Sequence, residues 1–304
     1  MPSWREVFDP PSWPGSLERP APRDRLGVNY ETSWARRRAV RVARNAITDT
    51  LTKPITDLLT SPSVSGTKYL EAIEGPVIFA PNHTSHFDTA VTIAALPKRF
   101  RHRVVVAAAA DYFFDRHWKA GLFAFLLGTV PVERARINRK SSDLAAELLE
   151  EGWSLIIYPE GGRSPDGWGQ EFRGGAAYLS KRCNVPVVPV HLRGVRPVFP
   201  RNSAKFTPGK IEVRFGEPLR AQPSASRPGR EEDARRFSRR IEEAVATLGD
   251  EAETDWWSAK KRAAAGLTPA FRGPDASPWR RSWALPASAR RSHPREQDDE
   301  RTPW

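Results

Sequence analysis

Two residues in the segment 81–90 (PNHTSHFDTA), His83 and Asp88, have side-chain types and a spacing that could do chemistry. Five positions apart on one continuous helix, they would be rotated by roughly 140° and could not meet. Across a turn they can. With His83 in a loop and Asp88 in the first helical turn, the carboxylate folds back onto the imidazole, fixes its tautomer and makes it a general base. The same letters also read as a plain helix start, with Ser85 at the N-cap and Asp88 at N3, where a negative charge suits the helix dipole.

A second stretch, 158–167 (YPEGGRSPDG), leaves an apolar run through Glu160, Gly161, Gly162 and Arg163. Paired glycines let the backbone approach a ligand closely, and an arginine beside them offers a planar fork suited to phosphate. The alternative is a surface turn with solvated charges. Arg134 in GTVPVER and Arg173 in EFRGG stand at comparable places, after a strand and at the mouth of a helix. The segment 185–194 (VPVVPVHLRG) reads as a buried strand that shapes a pocket wall. His86 follows His83 at a spacing two metal ligands could use, but there is no HExxH pattern and Cys183 is distant in sequence, so no metal site is expected. His86 is read as flanking the pocket or capping the helix.

The elements that must position these residues lie between 75 and 218, where short β-rich runs alternate with helical patterns. Strands are expected at 76–80, 103–109, 129–132, 154–159, 186–192 and 211–216, and helices at 88–96, 117–127, 140–151 and 173–183. This alternation predicts an α/β fold, a single mostly parallel mixed sheet flanked by helices. Sites in such sheets lie beyond the carboxyl ends of the strands. Both motifs leave strand ends and can face one pocket.

Around this body, residues 1–30 read as a flexible arm and 31–66 as a basic amphipathic helical region. There Val40, Ala43, Ile47 and Leu51 recur at helical spacing beside Arg36, Arg37, Arg38, Arg41 and Arg44, with Pro54 and the following SPSVSG ending the pattern. A helix is expected at about 231–248. Residues 250–304 form a Trp/Arg-rich, poorly ordered tail that could meet an anionic bilayer, stack on nucleic acid or wrap the domain itself. The 304 residues carry a net charge of +12, which favours a polyanionic partner without choosing one. Cys183 is the only cysteine, so no intrachain disulfide can form and a reducing compartment is expected. The opening residues lack the basic-then-apolar run of a secretion signal. The longest apolar stretch, 121–132, falls short of the ~20 residues that span a bilayer, so contact with a membrane would be peripheral.

In this order HTSHFD, GTVPVER, YPEGGRS and VPVVPV resemble the four blocks of the glycerolipid acyltransferase family typified by bacterial 1-acyl-glycerol-3-phosphate acyltransferases, over about residues 70 to 220. The resemblance implies an acyltransferase domain at 67–249. In it His83 would be the base on an acceptor hydroxyl, Asp88 its orienting acid, and Arg134, Arg163 and Arg173 the phosphate ligands, with Glu160 orienting an arginine or turn beside Gly161 and Gly162. The donor would be acyl-CoA or acyl-carrier protein, with no cofactor, and the acceptor a lysophospholipid. The setting would be the cytoplasmic face of an anionic plasma membrane, with no nucleic acid partner. Gly162 stands where the family commonly has threonine, which leaves another lipid or glycolipid acceptor open. A catalytically silent basic protein that binds membrane or nucleic acid is the reading from a different class. The aromatic run at 111–130, with Phe113, Phe114, Trp118, Leu122, Phe123, Phe125 and Leu126, is either domain core or an acyl-chain tunnel or membrane-facing lip.

Overall fold

The computed structural model describes residues 29–114, 116–132, 139–199, 206–221, 230–275 and 280–281. Most of the N-terminal arm, Arg134 and the end of the tail lie outside the described residues. The described strands are β1 (Ser63–Ser65), β2 (Ile78–Pro81), β3 (Val104–Ala109), β4 (Thr129–Val132), β5 (Ser154–Ile156), β6 (Val187–Arg193) and β7 (Glu212–Phe215). They form one sheet in the order β1-β7-β6-β2-β5-β3-β4. Every pairing is parallel except β6 with β7, so the expected single, mostly parallel mixed sheet is present.

Period-two alternation divides the strand residues between two cores. Ile78, Ala80, Val105, Leu155 and Val187 point to one face and pack with the helices Arg139–Glu150, Gly175–Cys183 and Arg230–Glu253 through Ala145, Leu149, Ala177, Leu179, Ile241 and Val245. Val77, Phe79, Val104, Val106, Ile156 and Val188 point to the other, where Leu70, Val91, Leu96, Phe100 and Phe215 cover them. With both faces covered, the central strands read as nearly continuous apolar runs.

The structure corrects three details of the sequence reading. β1 lies in the SPSVSG segment that was read only as a break, and it pairs with β7 at the sheet's edge. The helical region runs past Pro54: a π-helical turn, Thr48–Thr52, precedes the helix Lys53–Thr60, and Ser61 ends it in the left-handed region at φ 39°. Pro54 stands just after the π-helical turn, where the helical hydrogen-bond register changes. The amphipathic pattern is also turned outward. Arg44, Thr48, Thr56 and Thr60 are buried, while Val42, Leu51, Ile55 and Leu58 are exposed. Asp49 ties this region to the body through Arg101 Nε at 3.0 Å and His102 Nε2 at 2.8 Å.

The helix expected at 231–248 extends over Arg230–Glu253, and a further helix, Trp256–Ala264, is capped by Asp255, which accepts the N–H groups of Trp257 and Ser258. The described part of the tail lies against the domain. Arg262 forks onto Asp250 at 2.8 and 2.6 Å, Phe271 meets Phe172 edge-on at 5.3 Å, and Arg281 reaches Asp166 at 2.8 Å. Among the described residues no helix is long and apolar enough to cross a membrane.

One tie sets where the loop after β2 begins. The Asn82 side-chain amide donates to the Leu192 carbonyl at 3.0 Å and accepts the Leu192 N–H at 2.7 Å, both buried. Asn82→Ala removes both partners at once and should destabilise the fold by roughly 1–3 kcal/mol. Urea denaturation that gives a value indistinguishable from wild type would contradict this anchoring role.

Candidate active site

Two neighbouring strands, β2 and β5, end side by side, and the loops that leave them form the site. His83 stands two residues beyond β2, and the helix Asp88–Ala95 begins at Asp88 itself. His83 Nδ1 lies 2.9 Å from Asp88 Oδ2. The same oxygen accepts the N–H groups of Thr84 at 2.6 Å and Ser85 at 2.8 Å. Asp88 is completely buried. An ionised carboxylate only accepts, so Nδ1 carries the imidazole proton and Nε2 keeps its lone pair. The helix-start reading is also present in part, since Asp88 takes the Ser85 N–H as a capping-box acid would. The Ser85 hydroxyl accepts from Phe87 N rather than from Asp88 N, and donates to the Phe199 carbonyl at 2.7 Å.

Glu160 clamps the two loops together. Its Oε1 accepts the His83 N–H at 2.7 Å and its Oε2 the Gln170 N–H at 3.0 Å. The Ser164 N–H in turn donates to the His83 carbonyl at 2.8 Å, so both backbone groups of His83 are held by the second loop. Burial, and to a lesser extent the charge of Asp88, push the Glu160 carboxyl up to about 8 against these hydrogen bonds. Gly161 adopts φ +71°, a conformation that favours glycine, and a Cβ there would lie 2.8 Å from Arg173 Nε, so a larger residue would also have to shift that side chain. A Cβ at Gly162 would meet nothing within 4 Å, so the hydroxyl-bearing residue common in the family has room there.

His83, His86, Gly161, Gly162, Arg163 and Arg173 all line one cavity of about 210 Å³. Arg163 Nη1 donates to His86 Nε2, which places His86 at the rim beside a guanidinium. The cavity continues inward between the sheet and the helices Arg139–Glu150 and Gly175–Cys183, along Val106–Ala109, Leu127, Ala145, Leu155, Ile157, Ala176 and Leu179. Its wall is therefore mostly apolar below a polar mouth, with Thr129, Ser141 and Ser142 among the lining residues.

Of the residues singled out from sequence, the structure brings together His83, Asp88, Glu160, Gly161, Gly162, Arg163 and Arg173, while Arg134 lies outside the described residues. Two expectations are corrected. The strand within 185–194 contributes no wall to this cavity; it supports the first loop through Asn82. The aromatic run divides: Phe113 lines the cavity, Phe114 is core, and Trp118 and Leu122 are exposed on the helix His117–Leu127. Sequence reasoning gave no role to Tyr158, whose ring stacks on His83 with centroids 4.0 Å apart and planes at 26°. Its hydroxyl lies 3.0 Å from Thr89 Oγ1, and burial pushes its pKa well up, so it stays neutral.

Residues 61–193 match the family model for "Acyltransferase". Over 147 residues the chain is 27% identical to "1-acyl-sn-glycerol-3-phosphate acyltransferase alpha" of Bos taurus, covering 47% of this chain and 49% of that protein. Over 168 residues it is 27% identical to "1-acyl-sn-glycerol-3-phosphate acyltransferase LPAT1, chloroplastic" of Arabidopsis thaliana, covering 52% and 43% respectively. The chain thus spans about half the length, or less, of these relatives. The crystal structure of the 1-acyl-sn-glycerophosphate (LPA) acyltransferase PlsC from Thermotoga maritima shares the fold, with a TM-score of 0.52 at 23% identity over 68% of this chain and 79% of that one. These comparisons bear out the resemblance to glycerolipid acyltransferases.

The clamp makes a two-part prediction. Glu160→Gln sets an amide NH₂ against one of two backbone N–H donors and should cost about 1–3 kcal/mol in denaturant unfolding. The folded-state pKa of Glu160 is raised, so its contribution to stability is complete below about 4.5 and is lost as pH climbs through about 8. The variant should lack that part of the wild-type slope. An unchanged slope over this window would assign the pH dependence elsewhere.

Proposed function

We propose that the chain transfers a fatty acyl group from an acyl thioester, carried by CoA or acyl-carrier protein, to the free hydroxyl of 1-acyl-glycerol-3-phosphate or a close lysophospholipid. The observation that carries this reading is the His83–Asp88 contact at the mouth of an apolar cavity. His83 Nε2 takes the acceptor hydroxyl proton as that oxygen attacks the thioester carbonyl. The C–O bond forms, the C–S bond breaks, and the imidazolium returns the proton to the departing thiolate. Asp88 keeps the ring in its tautomer and stabilises the imidazolium while it exists. Arg163 and Arg173 supply positive charge for the acceptor phosphate, and the apolar wall receives the acyl chain.

The enzyme works on this reading at an anionic membrane surface. Leu51, Ile55 and Leu58 follow an i, i+4, i+7 pattern and face outward, with Leu58 81% exposed, and the exposed Arg37 and Arg38 stand at the start of the same helical region. An apolar ridge on a basic helical region suits the headgroup boundary of a bilayer. The covered face of these helices is instead polar, which a helix serving only as a cover for the domain would not need.

Two measurements test these statements. His83→Ala should lower thiol release from acyl-CoA in the presence of lysophosphatidic acid by about 10²–10⁴-fold, and equal rates in the two proteins would remove the base. Replacing Leu51, Ile55 and Leu58 together with serine should weaken flotation with anionic liposomes by roughly tenfold or more. Unchanged flotation would move the membrane contact to another surface.

A further inference from the structure

The loop that carries Glu160, Gly162 and Arg163 is gripped by a segment from the far end of the chain, outside the residues 61–193 that match the family model. After the helix Trp256–Ala264 the chain comes back toward the domain and makes a tight turn, in which the Gly273 N–H donates to the Ala270 carbonyl at 3.0 Å. Hydrogen bonds join this segment to the loop. The Gly169 N–H donates to the Phe271 carbonyl at 3.1 Å, Trp168 Nε1 to the Arg281 carbonyl at 2.8 Å, and Arg281 Nε to Asp166 Oδ2 at 2.8 Å. The two also interlock at glycines: a Cβ at Gly169 would lie 2.1 Å from the Phe271 ring, and one at Gly273 2.3 Å from the Trp168 ring. Arg281 ties the segment to itself as well, with Nη2 on the Arg272 carbonyl at 2.9 Å.

These contacts lead into the site by two routes. Asp166 Oδ1 accepts the Trp168 N–H at 3.1 Å and the Ser164 hydroxyl accepts the Gly167 N–H at 2.7 Å, which folds 164–168 into a compact turn. At the start of that turn the Ser164 N–H holds the His83 carbonyl. Beyond its end, Gln170 gives its N–H to Glu160 and its side-chain amide to the Gly162 carbonyl at 3.1 Å. Arg163, which lines the cavity beside Arg173, therefore sits between two backbone positions fixed by a turn whose outer side rests on the tail. Without that support the loop has to be ordered when a ligand binds, and the ordering subtracts from affinity. The bonds of Arg281 run to Asp166 and to the tail, not to the apolar wall on β3, β4, β5 and the two helices.

Resting on the acyl-transfer reading above, we propose that residues 270–275 with Arg281 form a strap that presets Arg163 for the acceptor phosphate. Arg281 is a positioning residue in it, acting through Asp166. Their ion pair is the latch, with side chains 24% and 21% exposed. Opening the latch loosens the acceptor's seat and leaves the seat of the acyl chain as it is.

The test measures kcat and the KM values for lysophosphatidic acid and palmitoyl-CoA in wild type, Arg281→Ala, Asp166→Asn, their double variant and Trp168→Phe. Asparagine keeps an oxygen for the Trp168 N–H and removes the charge that faces Arg281. Phenylalanine removes the indole N–H and keeps an aromatic ring against Gly273. Each variant should raise the KM for lysophosphatidic acid about fivefold and leave that for palmitoyl-CoA within about twofold of wild type. Because Arg281 and Asp166 share one contact, the double variant should be no worse than either single one. An unchanged acceptor KM, a fall in kcat with neither KM moved, or equal rises in both KM values overturns the proposal. So do additive effects of the two substitutions. If no protein acylates lysophosphatidic acid, the acyl-transfer reading fails and amide hydrogen exchange still decides the strap. Exchange across 160–170 that is about fivefold faster in Arg281→Ala supports it, and unchanged exchange overturns it.

Discussion

A carboxylate with no solvent exposure must be compensated by the protein around it, and Asp88 is such a group. One of its oxygens takes the N–H groups of Thr84 and Ser85 together with His83 Nδ1, and its helix begins at the same residue, so the dipole end also faces the charge. Gathering these donors on one oxygen shapes the loop, while Oδ1 stays buried without a hydrogen-bond partner among the described residues. Two successive backbone donors can converge on one oxygen only when residues 83–88 fold into a tight turn, and that turn brings the imidazole to its place. The orientation of His83 is thus a consequence of burying Asp88.

The second loop makes the turn rigid. β2 and β5 are adjacent although β3 and β4 lie between them in the chain, because β5 inserts between β2 and β3. The loops after β2 and β5 therefore meet. Glu160 and Ser164 hold the two backbone groups of His83, and Tyr158 covers the face of its ring. Two buried acids so close together interact unfavourably, and the burden falls on Glu160, whose ionisation is opposed by burial and by the charge of Asp88. Asp88 then serves the imidazole and the first loop's own backbone, while Glu160 ties the two loops together.

Short, nearly continuous β-rich apolar runs made the central strands legible in the sequence, and the break from strand to helix at PNHTSHFD made the His83–Asp88 turn legible. What was hidden depends on tertiary packing. β1 is three residues at an edge, too short to carry a period. Helical periodicity reveals that the basic region has two faces but not which one turns inward, and here buried Arg44 and three threonines take the inner side. The aromatic run suggested a tunnel by size alone, whereas the cavity wall is made mostly of small and branched side chains on β3, β4, β5 and two helices far apart in the chain. Tyr158 carried no signal, because stacking on an imidazole 75 residues away in sequence is visible only once β2 and β5 are neighbours.

The central claim is that the buried acid fixes the imidazole with its proton on Nδ1 and its lone pair on Nε2. Nitrogen-15 NMR of the histidine rings, with His83 assigned by substitution, reads this directly. The account predicts a single Nδ1–H tautomer for neutral His83, in slow exchange with water, and its conversion to a tautomer mixture in Asp88→Asn. A His83 ring that is already a mixture in the wild type, or protonated on Nε2, would contradict it.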